Sequence, residues 1–210
     1  MIINSFNLTT VPSKADVLVE QGSKFIGYLK AVSTEEEVKA FLLNLKNAHP
    51  DATHICYAYM LNPTNRMQKQ KYSDDKEPAG TAGAPLLNIL KTKNIGNACL
   101  AVVRYFGGTL LGTAGLAKAY ASAGEKAVKA ANLALVNYST VYEFELEYNE
   151  VKKAEQFIKE NNGNILESDY QEVVVMTVGF YTIDLKKVTE KLNNALGRKA
   201  HIKVVGQRFC

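Results

Sequence analysis

The chain has 210 residues, of which 47% are hydrophobic and 22% are charged, and this composition excludes a largely disordered protein. Its length suits one large domain or two modest ones. The N-terminal stretch MIINSFNLTT lacks the basic start and continuous apolar core of a secretory signal, and no apolar run approaches the ~20 residues that span a bilayer. We therefore expect no membrane partner.

The cysteines and the charges narrow the expectation further. Cys56, Cys99 and Cys210 are far apart and form no C-x-x-C pair, which argues against a disulfide framework or a zinc knuckle and favours the reducing cytoplasm. The net charge is +4. Up to Val136 there are 15 Lys and Arg against 10 Asp and Glu, whereas the remainder has 10 against 11. This excess in the first half is compatible with an anionic partner.

The first half of the chain predicts a mixture of strands and helices. Residues 25–32 and 55–61 have strand patterns, and Thr34 can cap a helix whose apolar face is formed by Val38, Phe41, Leu42 and Leu45. A polar stretch from 62 to 83 shows no clear periodicity. Three further elements are predicted beyond it: a helix at 84–93, a buried strand at 98–106 and a long alanine-rich helix at 113–131.

The second half predicts a β-α-β-β-α-β order. Its predicted elements are a strand at 140–148, a helix at 151–161, a hairpin at 165–170 and 172–181, a helix from Asp184 to 196 and a strand at 200–205. This is the order of a ferredoxin-like unit, with a four-stranded antiparallel sheet and two helices on one face. The fold class is therefore α+β, with domains at 1–136 and 137–210.

A glycine-rich segment at 107–115 joins the strand at 98–106 to the following helix. Backbone N–H groups at such a helix start can bind an anion, and Gly107, Gly108 and Gly112 would supply them. Arg104 could add a bidentate phosphate contact or could pair with a nearby carboxylate. The alternative is tight backbone packing, in which Gly107 and Gly108 turn the chain while Gly112 and Gly115 let the helix approach the sheet.

An acidic loop precedes the helix that is predicted at 84–93. Asp74, Asp75 and Glu77 could hold a hard cation, although the calcium-loop spacing is absent, or could order the loop by capping turns and the next helix. His54 could form an acid–base pair with this loop or serve only as a hydrogen-bonding group, and no nucleophile accompanies it. Three basic residues close by, Arg66, Lys69 and Lys71, could contact phosphates or simply be solvated. If they contact phosphates, we expect them to form one surface with Arg104 and the glycine-rich segment.

Five stretches together resemble the YigZ/IMPACT family. In chain order they are Ser23-Lys24-Phe25-Ile26-Gly27, Ala52-Thr53-His54, Ser73-Asp74-Asp75 with Glu77-Pro78, Gly80-Thr81-Ala82-Gly83, and Val102-Val103-Arg104-Tyr105-Phe106-Gly107-Gly108 running on through Leu111-Gly112. The resemblance covers nearly the whole chain. One departure is Lys76, where the family pattern leads us to expect glycine.

The resemblance implies an architecture and a field of activity. It implies a first domain similar to the second domain of a ribosomal small-subunit protein and a second domain similar to the C-terminal domain of elongation factor G. The expected function is therefore a non-enzymatic regulator that binds RNA, the ribosome or a translation-associated protein. No cofactor and no catalytic residue follow from it. Two alternatives are a nucleotide- or phosphate-binding protein or enzyme that uses the loop at 107–115, and a protein–protein adaptor in translational stress control.

Overall fold

The computed structural model describes residues 5–62, 68–181 and 185–209. The chain forms two compact units, Met1–Leu135 and Val136–Cys210. Arg66, Asp184 and Cys210 lie outside the described residues, so the predictions that involve them stay predictions. No helix among the described residues is both long and apolar enough to cross a membrane.

The first unit contains seven strands and three helices among its described residues. Its elements are β1 (Ser5–Thr9), β2 (Ser13–Lys14), β3 (Leu18–Glu20), β4 (Ser23–Ala31), α1 (Glu35–Ala48), β5 (His54–Leu61), β6 (Lys69–Ser73), α2 (Gly83–Thr92), β7 (Ala98–Tyr105) and α3 (Gly112–Lys129). The main sheet has the order β2-β4-β7-β5-β6, and β3 also pairs with β4. Each pairing in this sheet is antiparallel.

This sheet is covered on both faces. Helices α2 and α3 share one apolar core with β4, β5 and β7, while α1 packs on the opposite face through Val38, Phe41 and Leu45. The central strand β7 is therefore buried along almost its whole length, as its continuous apolar run predicts. Helix α1 begins where predicted, because the Glu37 backbone N–H donates to the Thr34 hydroxyl at 3.2 Å.

Helix α3 approaches the sheet through glycines other than the predicted ones. A Cβ built on Gly27 of β4 would lie 2.3 Å from the Ala123 carbonyl oxygen. One built on Gly124 would lie 3.3 Å from a Leu100 methyl carbon of β7 and 2.8 Å from a Leu86 methyl carbon of α2. Gly112 instead has a φ of +70° with nothing within 4 Å of its added Cβ, and the three atoms nearest an added Cβ on Gly115 all belong to Leu111, one turn earlier in the chain. The packing role predicted for Gly112 and Gly115 is therefore wrong, since the close contact lies further along the helix.

The second unit contains four strands that pair antiparallel with one another and two helices on one face of these strands. Its elements are β8 (Leu133–Leu146, beginning just before the unit boundary), a 3-10 turn (Tyr148–Glu150), α4 (Val151–Glu160), β9 (Asn164–Tyr170), β10 (Val174–Phe180), α5 (Leu185–Leu196) and β11 (His201–Phe209). The strands neighbour each other in the order β11-β8-β10-β9. A single apolar core joins the helices to alternate residues of β8 and β10.

Candidate functional site

The five family-like stretches converge at one end of the first unit's main sheet. His54 at the start of β5 pairs with Arg104 near the end of β7, and Arg104 pairs on its other side with Phe25 of β4. The acidic loop follows β6, which is the neighbour of β5, and the glycine-rich loop follows β7. Residues as far as 84 positions apart in sequence, such as Ser23 and Gly107, therefore meet because antiparallel strands return to the same edge.

A buried ionic network occupies this edge. Arg104 is only 4% exposed, and its Nη1 donates to Glu77 Oε1 at 2.5 Å. The Tyr120 hydroxyl of α3 donates to the same oxygen at 2.7 Å, and Arg104 Nη2 donates to the Ser23 hydroxyl at 3.3 Å. The guanidinium also lies 5.3 Å from the Phe25 ring centroid, where a cation–π contact adds to its stabilisation. Arg104 therefore connects β7 with β4 and the acidic loop and, through Glu77, with α3.

This placement decides between the two roles that the sequence left open for Arg104. A side chain so buried and already paired with Glu77 does not present its guanidinium to a solvent phosphate. The structure instead has the second predicted role, in which Arg104 pairs with a nearby carboxylate. Arg104 Nε has no hydrogen-bond partner among the described residues, which leaves one polar atom of the network unsatisfied.

Asp74 orders the acidic loop by capping α2. Its carboxylate accepts hydrogen bonds from the backbone N–H groups of Gly80, Ala82 and Gly83 at 2.8–3.0 Å. Burial alone would raise the pKa of Asp74, but these three hydrogen bonds outweigh it and hold the pKa below its ordinary value of 3.8. The motif Gly80-Thr81-Ala82-Gly83 thus provides N–H donors for a carboxylate within the same chain.

Asp75 and His54 fasten this loop to β5. Asp75 Oδ2 accepts from the Ile55 backbone N–H at 2.7 Å, and the Asp75 carbonyl oxygen accepts from His54 Nδ1 at 2.7 Å. A carbonyl can only accept, so His54 carries its proton on Nδ1, and its Nε2 lies 3.7 Å from Glu77 Oε1. His54 therefore connects the acidic loop with the buried network.

The geometry of this loop corresponds to the ordering role more closely than to a cation site. The carboxylates of Asp74, Asp75 and Glu77 each accept hydrogen bonds from protein groups. Within residues 5–62, 68–181 and 185–209, no group of three or more His, Cys, Asp or Glu side chains is placed to hold a metal ion. Burial also raises the pKa of the adjacent Cys56 to about 12, so its thiol is not an activated nucleophile.

The glycine-rich loop combines a close backbone contact with an exposed tip. A Cβ on Gly107 would lie 1.9 Å from the Gly22 carbonyl carbon, and the Gly107 N–H donates to the Ser23 hydroxyl at 3.1 Å. Gly108 has a φ of +88° and open space around it. Beyond it α3 starts at Gly112, and among the described residues no side chain caps its first N–H groups. Its first turn contains no acidic residue and begins with three exposed residues, 112–114.

The basic residues predicted to join this loop are not gathered around it. Lys69 pairs with Leu61 at the far end of the sheet from Arg104, roughly 20 Å away at strand spacing, and its ammonium lies 3.2 Å from Glu35. Lys71 is exposed on the same edge strand, opposite Tyr59. The predicted surface therefore reduces, among the described residues, to Gly107, Gly108, Gly112 and the N-terminus of α3.

Tyr120, a central member of the network, was missed from the sequence. Burial raises the pKa of its hydroxyl, which remains a hydrogen-bond donor to Glu77. Its ring packs edge-on against Phe25 with centroids 5.2 Å apart. A signal was present: Tyr120 is an aromatic residue on the stripe of α3 formed by Leu116, Ala123 and Ala127, and a buried tyrosine requires a partner for its hydroxyl.

These features define a two-unit α+β protein whose first unit carries a glycine-rich loop anchored on a buried Arg–Glu–Tyr network. The Impact N-terminal domain model matches residues 21–128, and a model described as a domain of unknown function matches residues 144–197. The chain belongs to the IMPACT family, as the sequence predicts.

Three relatives illustrate this membership. The IMPACT family member YigZ of Escherichia coli strain K12 is 35% identical over 184 residues, which cover 87% of this chain and 90% of that protein. Protein IMPACT of Oryctolagus cuniculus is 33% identical over 99 residues, covering 45% of this chain and 30% of that protein. A crystal structure of a hypothetical protein superposes with a TM-score of 0.63 at 32% identity, covering 97% of this chain and 98% of that one.

Proposed function

We propose that this protein is a cytoplasmic regulator of translation that binds RNA or a component of the translation machinery and catalyses no reaction. Family membership supports the field of activity through the resemblance described above. The observation that carries the binding is the exposed loop from Gly107 to Gly112, where α3 begins without a cap and without an acidic side chain. Its free N–H groups and the positive end of the helix dipole attract phosphate oxygens.

The architecture fits the same proposal. We propose that the second unit is ferredoxin-like, which its β-α-β-β-α-β order and the strand order β11-β8-β10-β9 support. We propose that the first unit is similar to the second domain of a ribosomal small-subunit protein. The high pKa of the Cys56 thiol and the hydrogen-bonded carboxylates of Asp74 and Asp75 favour binding over catalysis.

A substitution in the first turn of α3 tests this proposal without disturbing the buried network. Thr113 is exposed there, and Thr113→Glu would place a carboxylate where a phosphate would bind. The new carboxylate suits the helix dipole, so the fold is retained while RNA is repelled. We expect binding to short labelled RNAs, measured by fluorescence anisotropy from about 50 to 200 mM salt, to weaken steeply with salt.

The control is Thr113→Gln, which has nearly the shape of the glutamate but no charge. We expect affinity to fall several-fold with Thr113→Glu and to stay near that of the unaltered protein with Thr113→Gln. Absence of RNA binding at low salt, or binding that does not depend on salt, would contradict an RNA-binding role. Equal losses for the two variants would remove the α3 N-terminus from the proposal.

A protein–protein adaptor is a second candidate, favoured by the apolar tip of the same loop. Leu110 is 84% exposed and Phe106 is 45% exposed, and such exposed apolar side chains suit a protein contact. Cosedimentation with purified ribosomes tests this role. We expect Leu110→Ser to reduce cosedimentation while leaving affinity for free RNA unchanged, and Leu43→Ser on α1, where Leu43 is 58% exposed, to affect neither.

A further inference from the structure

The second unit separates its charges between two opposite surfaces. We define the helix face as the exposed side chains of α4 and α5, and the sheet face as the side chains of β8–β11 that point away from those helices. The helix face carries six exposed lysines against three exposed glutamates: Lys152, Lys153, Lys159, Lys186, Lys187 and Lys191 against Glu155, Glu160 and Glu190. Its balance is therefore positive.

The sheet face has the opposite sign, and the strand register places its charges in rows. Glu143 lies between Lys203 and Thr177, and Thr177 lies beside Glu167. Glu145 lies between His201 and Val175, and Val175 in turn lies beside Asp169. Tyr142, Phe144, Val174 and Met176 point into the core under the helices, so these alternate residues point to the other side. Among the described side chains, the sheet face therefore carries four carboxylates and one lysine, Lys203, which lies beside Glu143.

The helix face also has a groove that suits a polyanion. An open groove of about 570 Å³ runs between α4 and α5, and Lys153 and Lys191 lie on its walls. Gln156, Glu160 and Asn194 also line it. The Gln156 amide donates to Glu160 Oε1 at 2.8 Å, so two ammonium groups and the Asn194 amide face one carboxylate that already accepts a hydrogen bond. Lys191 Nζ donates to the neutral Asn161 Oδ1 at 2.6 Å, which leaves its charge uncompensated by that contact. Lysine and amide side chains are common donors to the phosphates and sugars of nucleic acids.

We propose that the helix face of the second unit binds the phosphate backbone of RNA, and that the sheet face repels it. The inference rests on the proposed function and adds a second contact surface to the loop of the first unit. It reverses the expectation for a sheet-containing RNA-binding domain, in which bases stack on the open sheet. Here the carboxylates of Glu143, Glu145, Glu167 and Asp169 would meet the phosphates, at a cost in electrostatic energy.

The test compares three variants of the full chain by RNA anisotropy across a salt series. The helix variant carries Lys153→Gln, Lys186→Gln and Lys191→Gln. We expect its logarithmic salt dependence to be shallower by about 2, because each phosphate contact to a single strand contributes roughly 0.7. We also expect its affinity at low salt to fall by about tenfold or more. Circular dichroism verifies that these exposed substitutions leave the fold intact.

The matched control carries Lys39→Gln, Lys46→Gln and Lys203→Gln, which remove the same charge from α1 and the sheet face. We expect it to retain the original salt dependence. The sheet variant, Glu143→Gln with Glu145→Gln, should change RNA affinity by no more than roughly twofold, through net charge alone. Equal losses for helix variant and control, or a large gain for the sheet variant, would overturn the inference.

The two proposals fail in different ways. If the unaltered protein binds no RNA at low salt, the RNA-binding function fails and this inference with it. If the unaltered protein binds RNA and the helix variant binds equally well with the same salt dependence, only the helix face is excluded. A loss with Thr113→Glu but none with the helix variant would confine RNA to the first unit.

Discussion

Arg104 and the glycines around it show how neighbours decide a residue's role. The guanidinium lies 5.3 and 5.4 Å from the ring centroids of Phe25 and Phe106, and it pairs with Glu77. The sequence around Arg104 is compatible with an arginine that binds an anion and with one that pairs with a carboxylate, because the charge and the position before a loop are the same for both roles. Gly107 likewise looks like a turn residue in sequence, but its missing Cβ also makes room for the Gly22 backbone.

Gly107→Ala should destabilise the first unit more than Gly108→Ala does. An added Cβ at Gly107 would lie 2.2 Å from the Gly22 carbonyl oxygen and 2.3 Å from the Ser23 nitrogen, and backbone cannot move aside cheaply. We expect a loss of about 2–3 kcal/mol in the free energy of unfolding, measured by urea titration. Gly108→Ala meets open space and should cost only about 1 kcal/mol, for its positive φ. Equal losses would contradict the contact.

Lys76→Gly should raise the free energy of unfolding. Lys76 has a φ of +70°, in the left-handed region where a side chain is strained, and it stands where the family pattern led us to expect glycine. Relief of that strain, less the greater entropy of an unfolded glycine, leaves a gain of about 0.5–1 kcal/mol. Lys76→Ala removes the same charge but keeps Cβ, so it should give no comparable gain. A gain for both variants would assign the effect to charge instead.

At the scale of elements, hydrophobic periodicity located most helices and strands. It did not locate the edge strand β6, and it did not show in detail how α2 is capped. Helix α5 buries Val188, Leu192 and Leu196 as predicted, and α1 begins after Thr34. Strand β6 was missed because it is an edge strand with mostly exposed residues, so it has no apolar alternation to detect. Helix α2 was found, but its cap was not predicted in detail, since Asp74 reaches its N-terminus from nine residues before Gly83.

Asp74→Asn should destabilise the protein at neutral pH and much less in acid. Because the folded-state pKa of Asp74 is lowered, its stabilisation is present above the unfolded-state pKa and is lost as pH falls through the folded-state pKa, below 3.8. We expect a loss of about 1–2 kcal/mol at pH 7, as for other helix caps. Urea titrations at pH 7 and near pH 3 would measure it. The control is Asp51→Asn, at an exposed position. A loss in the free energy of unfolding that is the same at both pH values for Asp74→Asn would contradict the mechanism.

At the scale of the whole molecule, the two units bury the apolar side chains of their strands in different ways. The first unit places a sheet between helices on both faces and encloses an ionic network at one edge. In the second, the described helices pack on one face of the strands, and positive and negative side chains are separated between opposite surfaces. In this network one carboxylate, that of Glu77, accepts hydrogen bonds from Arg104 of β7 and Tyr120 of α3 and lies 3.7 Å from His54 Nε2 of β5.

Glu77→Gln should therefore reduce the stability of the first unit strongly. Glutamine can still accept a hydrogen bond from Tyr120 but leaves the buried Arg104 charge without a counterion. We expect a loss of about 3 kcal/mol in the free energy of unfolding by urea titration. The control is Glu125→Gln, whose partner Lys93 lies 3.1 Å away on the surface and should contribute less than about 1 kcal/mol. Similar losses at the two sites would contradict a buried ionic network.

The sequence by itself determined the α+β class, the family, and most of the helices and strands. Hydrophobic periodicity is a local property, and the motifs that identify the family are contiguous stretches. Only the tertiary structure decided that Arg104 is buried, that Asp74 caps α2 and that Lys69 lies far from the glycine-rich loop. These facts depend on which strands are neighbours and in what register, and register is fixed by packing among residues distant in sequence.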